Sequence, residues 1–253
     1  MDLSITSQAS VGVPDSIAQF LMAADGIATL MRKQNRINVP VQGQGKMFAV
    51  CEGLAQLETA KLSADITTRA LLGLYENAGS SSIKMQLCEF ILDSHRKLQG
   101  RAVKDEIGLI GSSLSIIWLI RNVCYWAHVG ETKIFLWRDG NLTQVNPQHT
   151  GTAFAHRDGE EISDESLAQG FMYGQLTSES KSLRLDLGVD VSSLSLQPGD
   201  VIVLCSSAVM GVYGQQALTA CLRQKPLSLA SLFATKIPPT QRDRMAVVAV
   251  EVE

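Results

Sequence analysis

The chain is 253 residues long, 45% hydrophobic and 19% charged, which excludes a disordered or fibrous polymer and allows a core that needs no staples. A net charge of −3 leaves no basic footprint for nucleic acid and no electrostatic anchor for a membrane. The cysteines Cys51, Cys88, Cys124, Cys205 and Cys221 form no CxxC and no zinc spacing, so they read as reduced core thiols. The start shows no signal-peptide pattern, and the apolar stretch Leu114 to Ile120 is far too short to span a bilayer. The expectation is a soluble, cytoplasmic protein without membrane insertion.

In chain order, the first thirty residues are weakly patterned, apart from a short helix predicted over Ser16 to Met22. Met47-Phe48-Ala49-Val50-Cys51 reads as a buried strand that enters a turn at Glu52-Gly53. Leu57, Leu62, Ile66, Ala70 and Leu74 recur at helical spacing and predict a helix from Leu54 to about Tyr75. Gly79-Ser80-Ser81-Ser82 breaks it, and a second helix follows from about Ile83 to Leu98. The period then changes. Ser112 to Leu119, Val123 to Val129 and Lys133 to Trp137 read as successive strands, and Asp139-Gly140 is a hairpin signal. Residues 147–182 are polar and predict a long loop region with some helix. Leu183 to Leu187 reads as a short strand, Leu196 to Asp200 as a turn, and Val201 to Cys205 as a buried strand. Helical material is expected over about Gln215 to Thr235, then a closing strand from Met245 to Val252. Helices and strands are grouped and do not strictly alternate, which favours a layered α+β architecture. No repeat or linker interrupts the chain, so one domain over residues 1–253 is the simplest reading.

The run Ala127-His128-Val129-Gly130-Glu131-Thr132-Lys133, continuing through Arg138-Asp139-Gly140-Asn141-Leu142, resembles the "AHVGDSR…RDGEL" segment of the PPM-type, or 2C-type, metal-dependent Ser/Thr protein phosphatases. Other landmarks follow in the family's order. Phe48 to Gly53 resembles its "VxDG" strand, Gly111 to Leu114 its "GTT" start, and Gly199 to Ala208 its "GDxLLLCSDG" segment. Arg242 to Val248 resembles the terminal "DNxTVV", and Arg32 to Ile37 the "RxxNED" motif. The resemblance is strongest over residues 47–150 and 196–252. It implies an α-β-β-α sandwich of two antiparallel sheets flanked by helices, with a metal cleft at one end.

The family reaction uses two divalent ions, which activate a water and clamp the phosphate. Hard Mg²⁺ or Mn²⁺ asks for oxygen ligands, chiefly carboxylates. Carried over residue by residue, the ligand set is degraded. Glu52 stands for the bridging Asp, Gly53 supplies the carbonyl, Asp243 is retained, and Glu131 stands for the Asp of "GDSR". Three ligand positions are degenerate: Ile37, Ser207 and Ala208. Arg36 replaces the Glu of "NED", and Arg32 matches the phosphate-binding Arg. Two carboxylates do not balance the charge of two divalent ions, so the expectation is at most one Mg²⁺ or Mn²⁺.

Other residues have plainer readings. His128 lies within a strand and reads as structural. His149 and His156 lack ligand partners at the right spacing. Ser206-Ser207 has no GxSxG context and no evident base. The acidic stretch from Asp158 to Glu165 reads as a solvated loop. The leading functional expectation is a pseudophosphatase that binds a protein partner: a kinase, a phosphoprotein or a regulator. The alternative is a divergent, active phosphatase holding its metal with Glu52, Asp243 and Glu131. A scaffold in which the cleft plays no part is the third reading.

Overall fold

Strands that are apolar on both faces dictate this architecture, because each needs cover on two sides. The computed structural model describes residues 4–11, 18–24, 27–31, 34–40, 45–54, 59–76, 81–147, 172–175, 189–224 and 244–253; before residue 45, and at 72–76 and 172–175, it describes the backbone alone. The elements in order are β1 (Ser4–Val11), β2 (Ala18–Ala24), β3 (Ile27–Met31), β4 (Gln34–Pro40), β5 (Lys46–Gly53), α1 (Ala60–Glu76) and α2 (Ile83–Lys104). There follow β6 (Leu109–Ile120), β7 (Val123–Val129), β8 (Lys133–Arg138), β9 (Asn141–Gln144), β10 (Met172–Gln175), β11 (Asp190–Ser195), β12 (Val201–Cys205), α3 (Ser207–Gln224) and β13 (Ala246–Val252).

The strands form two antiparallel sheets. One runs β4-β1-β13-β12-β8-β9; the other runs β11-β7-β6-β5-β2-β3, with β10 also paired to β6. Alternation along β5 sorts its side chains between two cores. Phe48 and Val50 pack between the sheets with Ile117, Leu204 and Val248. Met47, Ala49 and Cys51 face the other way, in the cluster that holds Leu71 of α1 and Leu87 and Ile91 of α2. A third cluster packs Phe135, Val203 and Val247 of the six-stranded sheet against Val209, Leu218 and Leu222 of α3. The layers are therefore helix, sheet, sheet, helix. Each fully buried Leu, Ile or Phe contributes about 1.5–3 kcal/mol relative to an exposed position.

Local signals place the helix ends and the tight turn. Ser82 caps α2, its hydroxyl accepting from the Met85 amide at 3.3 Å, and Arg101 and Lys104 sit in the last turn where the helix dipole favours cations. The β8–β9 hairpin pairs Arg138 with Asn141 across Asp139 (φ 50°) and Gly140 (φ 78°), the positive-φ pair that the Asp-Gly signal predicts.

Several sequence expectations need correction. The segment predicted as a helix over Ser16 to Met22 contributes strand β2, with Phe20 opposite Val50 of β5 and Met31 of β3. The first thirty residues, weak in pattern, supply β1, β2 and nearly all of β3, because pairing within the sheets overrides local propensity. Helix α1 begins at Ala60 and not near Leu54, and α2 runs on to Lys104, past Gly100, because Ala102 is buried. Helix α3 begins at Ser207, well before Gln215; its kink at Gly214 (φ 69°) lies just where the predicted helix started. Within the polar 147–182 region, Met172–Gln175 forms a strand. The predicted strand Leu183 to Leu187 lies outside the described residues. None of the described helices is long and apolar enough to cross a membrane.

Candidate functional site

The polar end of the sandwich is built around Glu52. It is the next-to-last residue of β5 and shares the inward parity of Phe48 and Val50, so its carboxylate is carried between the sheets at their rim. Only 4% of Glu52 is exposed. Helix α3 starts at once after β12, so its first-turn amides open towards that rim. The Ser207 amide donates to Glu52 Oε2 at 2.7 Å, and the Ser207 hydroxyl donates to Oε1 at 2.9 Å. Arg244, just before β13, places Nη2 3.5 Å from Oε1. A carboxylate of one sheet is thus held by two segments of the other.

Burial raises the Glu52 pKa to about 7, even though the Ser207 amide, the Arg244 charge and the Ser207 hydroxyl all favour the carboxylate; repulsion from Glu131 adds to the rise. Lys133 lies beside the same group, directly across the sheet from Cys205. Burial lowers the Lys133 pKa, and attraction from Glu131, Cys205 and Glu52 partly restores it. The Nε of Arg244 is buried and has no hydrogen-bond partner among the described residues.

Deeper in the sandwich, the Ser115 hydroxyl lies 3.0 Å from His128 Nδ1 and 2.8 Å from the Thr132 hydroxyl. All three side chains are buried. Beneath the rim this network ties the Ser115 hydroxyl to both His128 Nδ1 and the Thr132 hydroxyl. None of the five cysteines is in a disulfide among the described residues. Burial pushes the Cys51 and Cys205 thiols up to about 12, so neither is a ready nucleophile.

The fold gathers some of the sequence-predicted residues and not others. Glu52, Gly53, Ser207 and Ala208 meet at the rim, and Glu131 acts electrostatically on Glu52. Ile37 stands elsewhere. The register runs Ile37–Ser7–Val250–Ile202–Leu136, three residues along the sheet from the Lys133–Cys205–Val247 row at the rim. At about 3.3 Å per residue that is roughly 10 Å. Gln34, opposite Ala9, stands nearer the rim than Ile37. Arg36 belongs to the same strand β4, of which only the backbone is described. Arg32, Asp243, His149, His156 and the acidic stretch from Asp158 to Glu165 lie outside the described residues.

Two residues that sequence reasoning passed over are Arg244 and Lys133. Each flanks a predicted ligand position, one residue after Asp243 and two after Glu131, and that adjacency was the available signal. Ser207, which had no evident base in the sequence, has a carboxylate at its hydroxyl.

Solved structures share this architecture. The Mycobacterium tuberculosis serine/threonine phosphatase PstP/Ppp superposes over 100% of both chains with a TM-score of 0.64 at 15% identity. The PstP catalytic domain in complex with two manganese ions matches 100% of this chain and 99% of its own, with a TM-score of 0.66 at 15% identity. The fold is that of the PPM-type serine/threonine phosphatases. A Streptococcus pyogenes serotype M6 protein, whose curated name is that of a 2C-type protein phosphatase, is 22% identical over 147 residues. That alignment takes in 57% of this chain and 58% of the relative's length. No protein-family model matches the sequence.

The PstP catalytic domain, which shares this fold, is in complex with two manganese ions. Each oxygen of Glu52 accepts from a Ser207 donor, and the Arg244 guanidinium lies 3.5 Å from Oε1. Among the described residues no three Asp, Glu, His or Cys side chains converge as a metal-holding group. Ser207 and Ala208 contribute no charge. Of the carboxylates that the resemblance assigns to an ion, the described rim holds Glu52 and Glu131, too few to balance two divalent charges, and Asp243 lies outside it.

Proposed function

We propose that the protein is a PPM phosphatase-like pseudophosphatase that acts by binding a protein partner in Ser/Thr phosphorylation signalling. The observation that carries this reading is the capture of Glu52 by Ser207 and Arg244 at the position the resemblance assigns to a bridging metal ligand. A carboxylate with both oxygens hydrogen-bonded inside the protein is poorly placed to activate a water through metal. The partner is a kinase, a phosphoprotein or a regulator, met in the cytoplasm by a chain folded as one domain. The experiment is hydrolysis of p-nitrophenyl phosphate and of phosphothreonine peptides across Mn²⁺ and Mg²⁺. The expected rate is indistinguishable from buffer; a metal-dependent rate defeats the reading.

One observation favours a second reading. The architecture matches the two-manganese PstP catalytic domain along the whole chain. In this reading a single Mg²⁺ or Mn²⁺, held by Glu52, Asp243 and Glu131 with the Gly53 carbonyl, supports slow hydrolysis, and Arg32 binds the phosphate. It expects a metal-dependent rate that Asp243→Asn abolishes.

A further inference from the structure

The polar rim poses an electrostatic question of its own. Glu52 is buried, yet it lies at the junction of three chain segments that are far apart in sequence: the end of β5, the start of α3 and the residue pair before β13. An ionised carboxylate in such a place needs compensation, or it destabilises the fold. The resemblance assigns that compensation to a divalent ion. This chain supplies it from its own side chains.

We propose that Arg244 takes the place of the divalent cation at Glu52, so that the rim of the sandwich is closed by a crosslink that needs no metal. Three observations carry this. First, the guanidinium lies 3.5 Å from Glu52 Oε1, and the Arg244 side chain is 29% exposed, so the pair is largely withdrawn from water. Second, each oxygen of the carboxylate also accepts from Ser207, Oε2 from its amide and Oε1 from its hydroxyl. Third, Lys133 stands directly across the sheet from Cys205, in the row at the rim, and brings a second basic side chain to that end of the sandwich. A guanidinium keeps its charge at every pH a protein meets and cannot dissociate from the chain. The crosslink joins the seven-stranded sheet, through β5, to the six-stranded sheet, through β12 and β13. Its strength is therefore independent of metal supply. The inference uses the same cleft as the functional reading above but does not depend on the absence of hydrolysis.

The test is thermal unfolding of the full chain at pH ~8, where carboxylates are ordinarily ionised. Metal-stripped protein is compared in EDTA and in excess Mn²⁺, beside Arg244→Met, Glu52→Gln and the double variant. Wild type is expected to melt at the same temperature in EDTA and Mn²⁺. Arg244→Met strands a buried carboxylate and is expected to melt about 5 °C lower. Adding Glu52→Gln removes the stranded charge and is expected to recover most of that loss, which a merely additive pair would not do. A rise in wild-type Tm with Mn²⁺ overturns the proposal, as does an Arg244→Met variant that melts with wild type or a double variant whose losses simply add. Calorimetric titration of Mn²⁺ into the wild-type chain decides the matter even where a variant does not fold: saturable binding overturns it, and no heat supports it. The two readings fail separately. Hydrolysis without Mn²⁺ binding defeats the pseudophosphatase and leaves the crosslink standing. Mn²⁺ binding without hydrolysis does the reverse.

Discussion

The two ends of the six-stranded sheet both carry an arginine–carboxylate pair, and the pairs are built differently. At the end away from Glu52, Arg138 of β8 meets Asp200 in the turn before β12. Its Nε reaches Oδ1 at 2.7 Å and its Nη2 reaches Oδ2 at 2.6 Å. Nη2 also donates to the Ser195 carbonyl at 2.9 Å, and Asp200 accepts from the Gln197 amide at 2.9 Å. That is a two-point fork with its donors and acceptors in use. At the rim, Arg244 meets Glu52 at 3.5 Å through one nitrogen, and its Nε finds no partner among the described residues. The closed fork fixes the turn before β12 and, through the Ser195 carbonyl of β11, also ties the six-stranded sheet to its neighbour. The looser pair sits where the resemblance puts chemistry and bridges two sheets. Similar charges thus serve one end as a finished structural joint and the other as a substitute for something larger.

The largest expected effect sharpens how tightly the rim is packed. A Cβ on Gly53 would stand 1.8 Å from the Ala60 carbonyl oxygen and 2.8 Å from its Cα, both backbone atoms at the start of α1. Gly53→Ala is therefore expected to cost about 3 kcal/mol or more, read as a fall in the urea midpoint. A midpoint unchanged from wild type would show that α1 can withdraw from the rim.

The contrast between the two pairs comes next. Asp200→Ala leaves Arg138 and the Gln197 amide without their partner and is expected to cost about 2 kcal/mol in urea unfolding. Glu52→Gln, measured the same way at pH ~8, is expected to change stability by less than about 1 kcal/mol, since lost attraction is offset by relief of a buried charge. Equal costs at the two sites would erase the difference between the two pairs.

The last effect is a pH dependence away from both ends. His95 of α2 is buried, and burial, with a minor contribution from Arg96, lowers its pKa from 6.5 to about 4. The unfolded chain takes up a proton there before the folded chain does. Stability from a neutral His95 is fully present above pH 6.5 and is lost as pH falls towards about 4. Denaturant midpoints between those limits are expected to fall with pH in wild type and to fall less in His95→Gln. Parallel profiles would assign the acid sensitivity to other groups.

Much of the fold was legible because its signals are local. The doubly apolar runs at Phe48, Val201 and Val247 announce buried strands, and Asp139-Gly140 announces its hairpin. Strand β2 was not legible. Ala-Gln-Phe-Leu-Met is equally at home in a helix, and only its pairing with Val50 and Cys51 makes it a strand. The same holds for the start of α3, which depends on Glu52 meeting the Ser207 amide across 155 residues of chain.

By itself the sequence determined which residue types stand at the ligand positions and in what order: Glu52, Glu131, Ser207, Ala208 and Asp243 are fixed by the chain. It also determined the layered class, because periodicity and turn chemistry act between near neighbours. Only the tertiary structure decided what those residues do to one another. Ion pairing and burial depend on distances of a few ångströms between segments remote along the chain. The sequence could not say that Ile37 falls some rows from the rim, nor that Arg244 turns towards Glu52. Packing of the two sheets brings a carboxylate, a helix start and a guanidinium to one point, and the electrostatics follow from that meeting.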